Sequence, residues 1–200
     1  GGKDVIISSV SLTAPDNVEN LEAVSGVTID LQGNELDNNL LGNNENNLLQ
    51  GLSGRDWLFG EGGDDTLNGG LGVDTLVGGL GDDIYYVDSK ADRVSEQQGQ
   101  GIDKVFASAS YTLSSNVENL QLQEGGNFTA GGNSLDNHLT GNSGNNLLAG
   151  GLGADILEGG LGDDIYVLSD SLDTIIDTGG IDTIRSNQDI VLINDIENAD

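Results

Sequence analysis

Aspartates recur every nine residues through much of this chain: Asp56, Asp65, Asp74, Asp83 and Asp92, then Asp155, Asp164, Asp173 and Asp182. A carboxylate is a hard oxygen ligand, so evenly spaced rows of them suit hard cations, provided the fold stacks them and supplies further oxygens. The units around them share one pattern. Four read glycine-glycine-x-glycine-x-aspartate-x-apolar: GGLGVDTLV (69–77), GGLGDDIYY (78–86), GGLGADILE (150–158) and GGLGDDIYV (159–167). Glycine opens ten units in phase, at Gly33, Gly42, Gly51, Gly60, Gly69, Gly78, Gly132, Gly141, Gly150 and Gly159. The eighth place is always large and apolar: Leu40, Leu49, Leu58, Leu67, Leu76, Tyr85, Leu139, Leu148, Leu157 and Tyr166. Units 87–95 and 168–176 lack the glycines but keep Asp92 with Val94 and Asp173 with Ile175. The sixth place is graded, because each block opens with asparagine (Asn38 and Asn47, Asn137 and Asn146) before aspartate takes over.

The elements that must position these groups follow from residue type. Gly and Asn pairs permit left-handed backbone and mark turns. Asp74–Val77 and Ile84–Val87 suit strands. No stretch shows capped helical periodicity. Segments 5–32 and 104–131 alternate apolar and polar residues without glycine turns, and are expected to continue the same coil without ions. With two nonapeptides per turn of coil, units i and i+2 stack, with parallel strands about 4.8 Å apart. Aspartates 18 residues apart then share a cation. Zinc and copper would call for His or Cys, and the chain has one His and no Cys. Magnesium holds its water too firmly for an all-protein cage, whereas calcium accepts six to eight oxygens in irregular geometry.

Composition agrees. Six Lys and Arg stand against 34 Asp and Glu, a formal net charge of −28. That balance excludes nucleic acid and anionic membrane surfaces as partners. Gly numbers 32, and no apolar run reaches membrane-spanning length. High charge with few apolar residues would ordinarily mean disorder, unless cations neutralise the charge.

A longer repeat overlies the short one. LTAPDNVENLEA (12–23) returns 99 residues later as YTLSSNVENLQL (111–122), and IDKVFASAS (102–110) returns as IDTIRSNQD (181–189). Asp4, Asp103 and Asp182 hold equivalent places. The expected organisation is one continuous solenoid fragment of a larger protein over 1–200. Within it lie a first calcium-repeat block at 33–95, non-metal linking coils at 96–131, a second block at 132–185 and the start of a further linking coil at 186–200.

These units resemble the haemolysin-type calcium-binding repeats of the RTX (repeats-in-toxin) family. The resemblance implies an all-β, right-handed parallel β-roll, or β-solenoid, with calcium in its turns. It also implies a ligand scheme: carbonyls from places two and four plus the aspartate of one unit, and carbonyls from places one and three plus the aspartate two units ahead. Carried over, Leu52, Gly54 and Asp56 would meet Gly69, Leu71 and Asp74. Glu61, Gly63 and Asp65 would meet Gly78, Leu80 and Asp83. Gly70, Gly72 and Asp74 would meet Val87, Ser89 and Asp92. Gly79, Gly81 and Asp83 would face Asp103, with two extra residues near Gln97–Gln100 interrupting the phase. In the second block, Gly151, Gly153 and Asp155 would meet Leu168, Asp170 and Asp173. Gly160, Gly162 and Asp164 would meet Asp177, Gly179 and Asp182, while Gly159 and Leu161 hold the first and third places of the Asp164 unit. Asparagine units are expected to let the coil run on without metal.

Other chemistry finds little support. His138 stands at place seven, expected to face solvent, and with no second His there is no nucleophilic triad. The glycine turns lack the lysine of a phosphate loop. Trp57 is expected to face outward. The expectation is therefore a non-enzymatic, calcium-dependent folding module of a larger secreted bacterial protein of the type I secretion kind, extracellular or at the cell surface. The alternative is a structural spacer or adhesive array stiffened by calcium, with an unknown surface partner.

Overall fold

The computed structural model describes residues 2–169 and 172–186 together with the backbone of Asn198–Ala199. Asp170 and most of the stretch expected to start another linking coil lie outside the described residues. Among the described residues every regular element is a β-strand, and no helix is long and apolar enough to cross a membrane. The chain divides into two compact units, Gly1–Lys104 and Val105–Asp200.

In the first unit the strands are β1 (Val5–Ser8), β2 (Leu12–Thr13), β3 (Asn20–Ala23), β4 (Leu31–Gln32), β5 (Asn39–Leu41), β6 (Leu48–Gly54), β7 (Trp57–Gly62), β8 (Thr66–Gly72), β9 (Thr75–Leu80), β10 (Ile84–Val87) and β11 (Arg93–Val94). Odd strands form one parallel sheet in the order β1-β3-β5-β7-β9-β11, and even strands β2-β4-β6-β8-β10 form a second. Successive nonapeptides thus alternate between sheets, and two of them complete one turn of a parallel β-solenoid. The second unit repeats the plan with β12 (Lys104–Ala107), β13 (Tyr111–Thr112), β14 (Asn119–Leu122), β15 (Thr129–Gly131), β16 (His138–Thr140), β17 (Leu147–Ala149), β18 (Ile156–Glu158), β19 (Ile165–Leu168), β20 (Thr174–Ile176), β21 (Thr183–Ser186) and β22 (Asn198–Ala199). Its sheets run β12-β14-β16-β18-β20 and β13-β15-β17-β19-β21-β22.

Register is set by the apolar eighth place, because a slip of one residue would turn every leucine outward. Leu40 pairs with Leu58, Leu58 with Leu76 and Leu76 with Val94; on the other sheet Leu31, Leu49, Leu67 and Tyr85 pair in succession. The second unit stacks Leu139, Leu157 and Ile175, and Leu148, Tyr166 and Ile184. Every place-eight residue of the glycine units is fully buried. Stacked partners in the repeat blocks are 18 residues apart, whereas the linking coils step by 15 (Val5 to Asn20) and 19 (Leu21 to Leu40). Turns free of the glycine pattern tolerate varied length; the repeat turns do not. The outward places are occupied as expected: Trp57 is 51% exposed. His138 is half-covered rather than open, its Nε2 3.1 Å from Glu158 on the neighbouring strand.

Candidate metal centre

The sixth-place side chains turn into the stack. Asp56, Asp65, Asp74, Asp83, Asp103, Asp155, Asp164 and Asp182 are each at most 1% exposed, against a usual preference of carboxylates for water. One oxygen of each pair is held by backbone. Asp56 N–H donates to Asp74 Oδ1 (2.8 Å), Asp65 N–H to Asp83 Oδ1 (2.7 Å) and Asp74 N–H to Asp92 Oδ1 (3.1 Å). Asp155 N–H reaches Asp173 Oδ1 (3.3 Å), and Asp164 N–H reaches Asp182 Oδ1 (2.8 Å). The structure therefore brings together the aspartate pairs expected from spacing. It also brings together Asp83 and Asp103, whose bond is 2.9 Å long across 20 residues. The two additional residues are taken up by the Gln97–Gln100 turn, with Gly99 at φ 78° and Gln100 C=O accepting Gly81 N–H (2.7 Å).

The other oxygen is the informative one. Oδ2 of Asp56, Asp65, Asp74, Asp83 and Asp164 is buried and accepts no hydrogen bond. An ionised oxygen so placed costs several kcal/mol unless a cation or proton meets it. Backbone oxygens converge on the same places. A Cβ on Gly51 would overlap Asp56 Oδ2 and lie 2.5 Å from Gly69 C=O, and a Cβ on Gly60 would overlap Asp65 Oδ2 and lie 2.6 Å from Gly78 C=O. In these units place one must be glycine because an oxygen cluster occupies the side-chain position.

Places two and four have a different reason for glycine. Gly70, Gly72, Gly79, Gly81, Gly151, Gly153, Gly160 and Gly162 all have positive φ, as do Gly54 and Gly63. Leu52 (φ 81°) and Glu61 (φ 79°) hold the same left-handed conformation at place two despite their side chains. This backbone aims carbonyls along the stack: a Cβ on Gly72 would overlap Gly54 C=O, and one on Gly70 would overlap Leu52 C=O. The third-place residues Leu71, Leu80 and Leu161 leave their side chains exposed and contribute backbone alone; Leu161 bridges Gly179. The resulting donor set consists of carboxylates and carbonyls, hard oxygens throughout, and it fits calcium.

Burial pushes the Asp56, Asp65 and Asp83 carboxyls up to about 7, and those of Asp74 and Asp164 up to about 6. The backbone hydrogen bonds pull the other way, and neighbouring carboxylates add to the rise. Asp92 stands apart, since its Oδ2 accepts Asp88 N–H (3.1 Å) and Ser89 N–H (3.0 Å) from its own turn.

Three sets of residues escaped the sequence reading. The second-place asparagines Asn34, Asn43, Asn133 and Asn142 each bridge two carbonyls of the preceding coil. Asn34 Nδ2 donates to Pro15 C=O (3.0 Å) and Val18 C=O (2.9 Å). Asn133 Nδ2 does so to Ser114 and Val117 C=O (both 2.7 Å). The paired Gly-Asn steps at 33–34, 42–43, 132–133 and 141–142 were the available signal. A second ladder uses place five: Asp37, Asp64, Asp82, Asp136 and Asp163 accept backbone N–H groups from the unit stacked above. Finally, Asp177 was expected to supply a carbonyl, yet its carboxylate gathers with those of Asp164 and Asp182, one oxygen from each within 4.8 Å.

Comparison with known proteins agrees with this geometry. A family model described as the RTX calcium-binding nonapeptide repeat (4 copies) matches residues 32–67, 41–76, 50–85, 62–94 and 131–166. The chain is also 46% identical over 56 residues to the endo-1,3-1,4-beta-glycanase ExsH of Rhizobium meliloti (strain 1021). That stretch is 28% of this chain and 12% of the relative, so the likeness is to a small segment of a much longer protein.

Proposed function

Because the chain belongs to the family of RTX calcium-binding nonapeptide repeats, we propose that it is a calcium-dependent folding module of a larger secreted bacterial protein. The observation that carries the reading is the row of buried aspartate oxygens, at Asp56, Asp65, Asp74, Asp83 and Asp164, that accept no hydrogen bond while carbonyls crowd around them. The ligand sets are those named from the repeat, with Asp83 and Asp103 included. When bound, calcium neutralises the stacked carboxylates and bridges successive turns. Without it the aspartates repel one another. One apolar residue per nonapeptide, Leu58 or Leu76 for instance, makes a core too thin to offset the chain entropy. Binding energy is then folding energy.

Calcium reaches about the millimolar range outside cells, where extracellular modules of this affinity work. That supports a chain that works outside the cell or on its surface, unfolded before export and folded after it. The reading assigns the chain no reaction of its own; the glycanase likeness is to a fraction of that enzyme and supports a module within a longer chain. The 99-residue recurrence of the VEN segments favours a second use of the same ions, in stiffening an extended surface array.

Circular dichroism in EGTA and then in millimolar calcium tests the reading. The expected outcome is a largely unfolded chain that gains its β signal with calcium. A chain equally rich in β-structure under both conditions would sink it.

A further inference from the structure

Each repeat block closes on the same eight residues, GGLGDDIY, at 78–85 and 159–166. Tyr85 and Tyr166 take the eighth place that leucine holds in earlier units, and both are fully buried. A buried hydroxyl needs a partner. In both blocks it is an acid 11 residues on: Tyr85 O–H donates to Glu96 Oε1, and Tyr166 O–H to Asp177 Oδ1 at 2.7 Å. Neither acid falls at an arbitrary place. Glu96 lies 18 residues after Gly78, whose N–H it also accepts at 3.1 Å, and Asp177 lies 18 after Gly159. Where a further unit would open with glycine, the chain twice puts a carboxylate.

That place adjoins the oxygen cluster. A Cβ on Gly78 would overlap both Asp83 Oδ2 and Tyr85 Oη, and one on Gly159 would overlap Asp164 Oδ2 and Tyr166 Oη. Asp83 and Asp164 are 1% exposed, and their Oδ2 atoms accept no hydrogen bond. The charge on Glu96 reaches Asp83, and the charge on Asp177 reaches Asp164. In the second block Asp164, Asp177 and Asp182 each place an oxygen within 4.8 Å of the others. Burial raises both tyrosines far above the usual phenol range, so each hydroxyl remains a donor and its acid an acceptor.

We propose that Asp177 is a side-chain metal ligand that closes the second ion row, giving a three-carboxylate site Asp164–Asp177–Asp182 with Tyr166 as its positioning residue; Glu96 holds the matching place in the first block, where its Oε1 is taken by Tyr85 and Gly78 instead. The proposal rests on the calcium reading above. It differs from the repeat scheme, in which place one offers only a carbonyl. A third carboxylate raises the site's charge, one of the variables that tunes calcium affinity, so the closing site of the second block fills first as calcium rises.

Calcium titration of the 200-residue chain against a chromophoric chelator tests this, with circular dichroism at saturating calcium to establish that each variant is folded. Asp177→Asn should weaken the tightest ion by about tenfold or more. Asp177→Leu should do the same, because it restores bulk without charge, whereas Asp177→Glu should recover part of the loss. Tyr166→Phe should weaken the same ion by a few-fold while the carboxylate remains. A tightest-ion affinity unchanged in both the Asn and Leu variants of Asp177 would overturn the proposal while leaving calcium binding intact. A wild-type chain that binds no calcium would instead overturn the reading beneath it.

Discussion

The asparagine turns that open each block and the aspartate turns that follow solve one problem in opposite ways. Both must satisfy carbonyl oxygens that the stack traps between successive coils. The asparagine turns do it with an internal cation substitute, an amide NH2 group. Asn43 Nδ2 donates to Val24 C=O (2.6 Å) and Val27 C=O (2.8 Å), and its Oδ1 accepts Glu45 N–H (2.9 Å), an Asx turn that keeps the backbone out of the left-handed region. At place six, Asn47 Nδ2 donates to Ile29 C=O (2.8 Å) and Oδ1 accepts Asn43 N–H (2.8 Å). In the aspartate turns glycine, or Leu52 and Glu61 in the first two, replaces the second-place asparagine, φ is positive, the carbonyls swing toward the turn and a buried carboxylate oxygen is left over. One kind of turn is complete from its own atoms. The other is incomplete by design and depends on what the surroundings supply.

The sharpest way to break this contrast is pH without calcium. The aspartate carboxyls are raised in the fold to about 6–7, from 3.8 in the open chain. Their stability contribution to the ion-free fold is thus full below about pH 4 and lost as pH rises through 6–7. In EGTA the β signal should therefore appear on acidification from pH 8 to about 4, whereas in calcium the fold should weaken on acidification as protons compete for the same oxygens. Far-ultraviolet dichroism along both titrations checks it; an EGTA sample that loses structure on acidification would contradict it.

A smaller effect is expected from converting one kind of turn into the other. Asp74 pairs with Asp56 on one side and Asp92 on the other. Asp74→Asn should weaken the calcium at both neighbouring positions, by about tenfold each. It should not create a metal-free turn, because Gly70 offers no side-chain amide at place two. Isothermal titration against wild type reads the difference; two unaffected ions would mean that Asp74 is not shared.

The smallest effect tests the asparagine side. Asn34→Ala leaves Pro15 C=O, Val18 C=O and Leu36 N–H without the amide. A loss of about 1–3 kcal/mol in urea unfolding with calcium present is expected, with the number of bound ions unchanged. A changed ion count would show that the opening turns also hold metal.

Much of the fold was legible because the chain repeats. A nine-residue phase with apolar Leu40 to Tyr166 at one place determines strand, face and register together, since each strand faces only its copies in the turns before and after it. The aspartate pairs followed from the same arithmetic. Residues outside the phase did not. Asp103 sits 20 residues from Asp83 rather than 18, so its expected pairing with Asp83 stood off the nonapeptide phase, and the folded Gln97–Gln100 turn takes up the difference. Asn34, Glu96 and Asp177 read as ordinary polar residues until the coil sets them against Val18, Tyr85 and Tyr166.

The sequence by itself determined the period, the inward row of leucines and the hard-oxygen character of the turns, because these are properties of residue type at fixed spacing. The tertiary structure decided which oxygens are satisfied and which are not. That depends on distances of a few ångströms between chain segments 11 to 20 residues apart, and no local rule sets them.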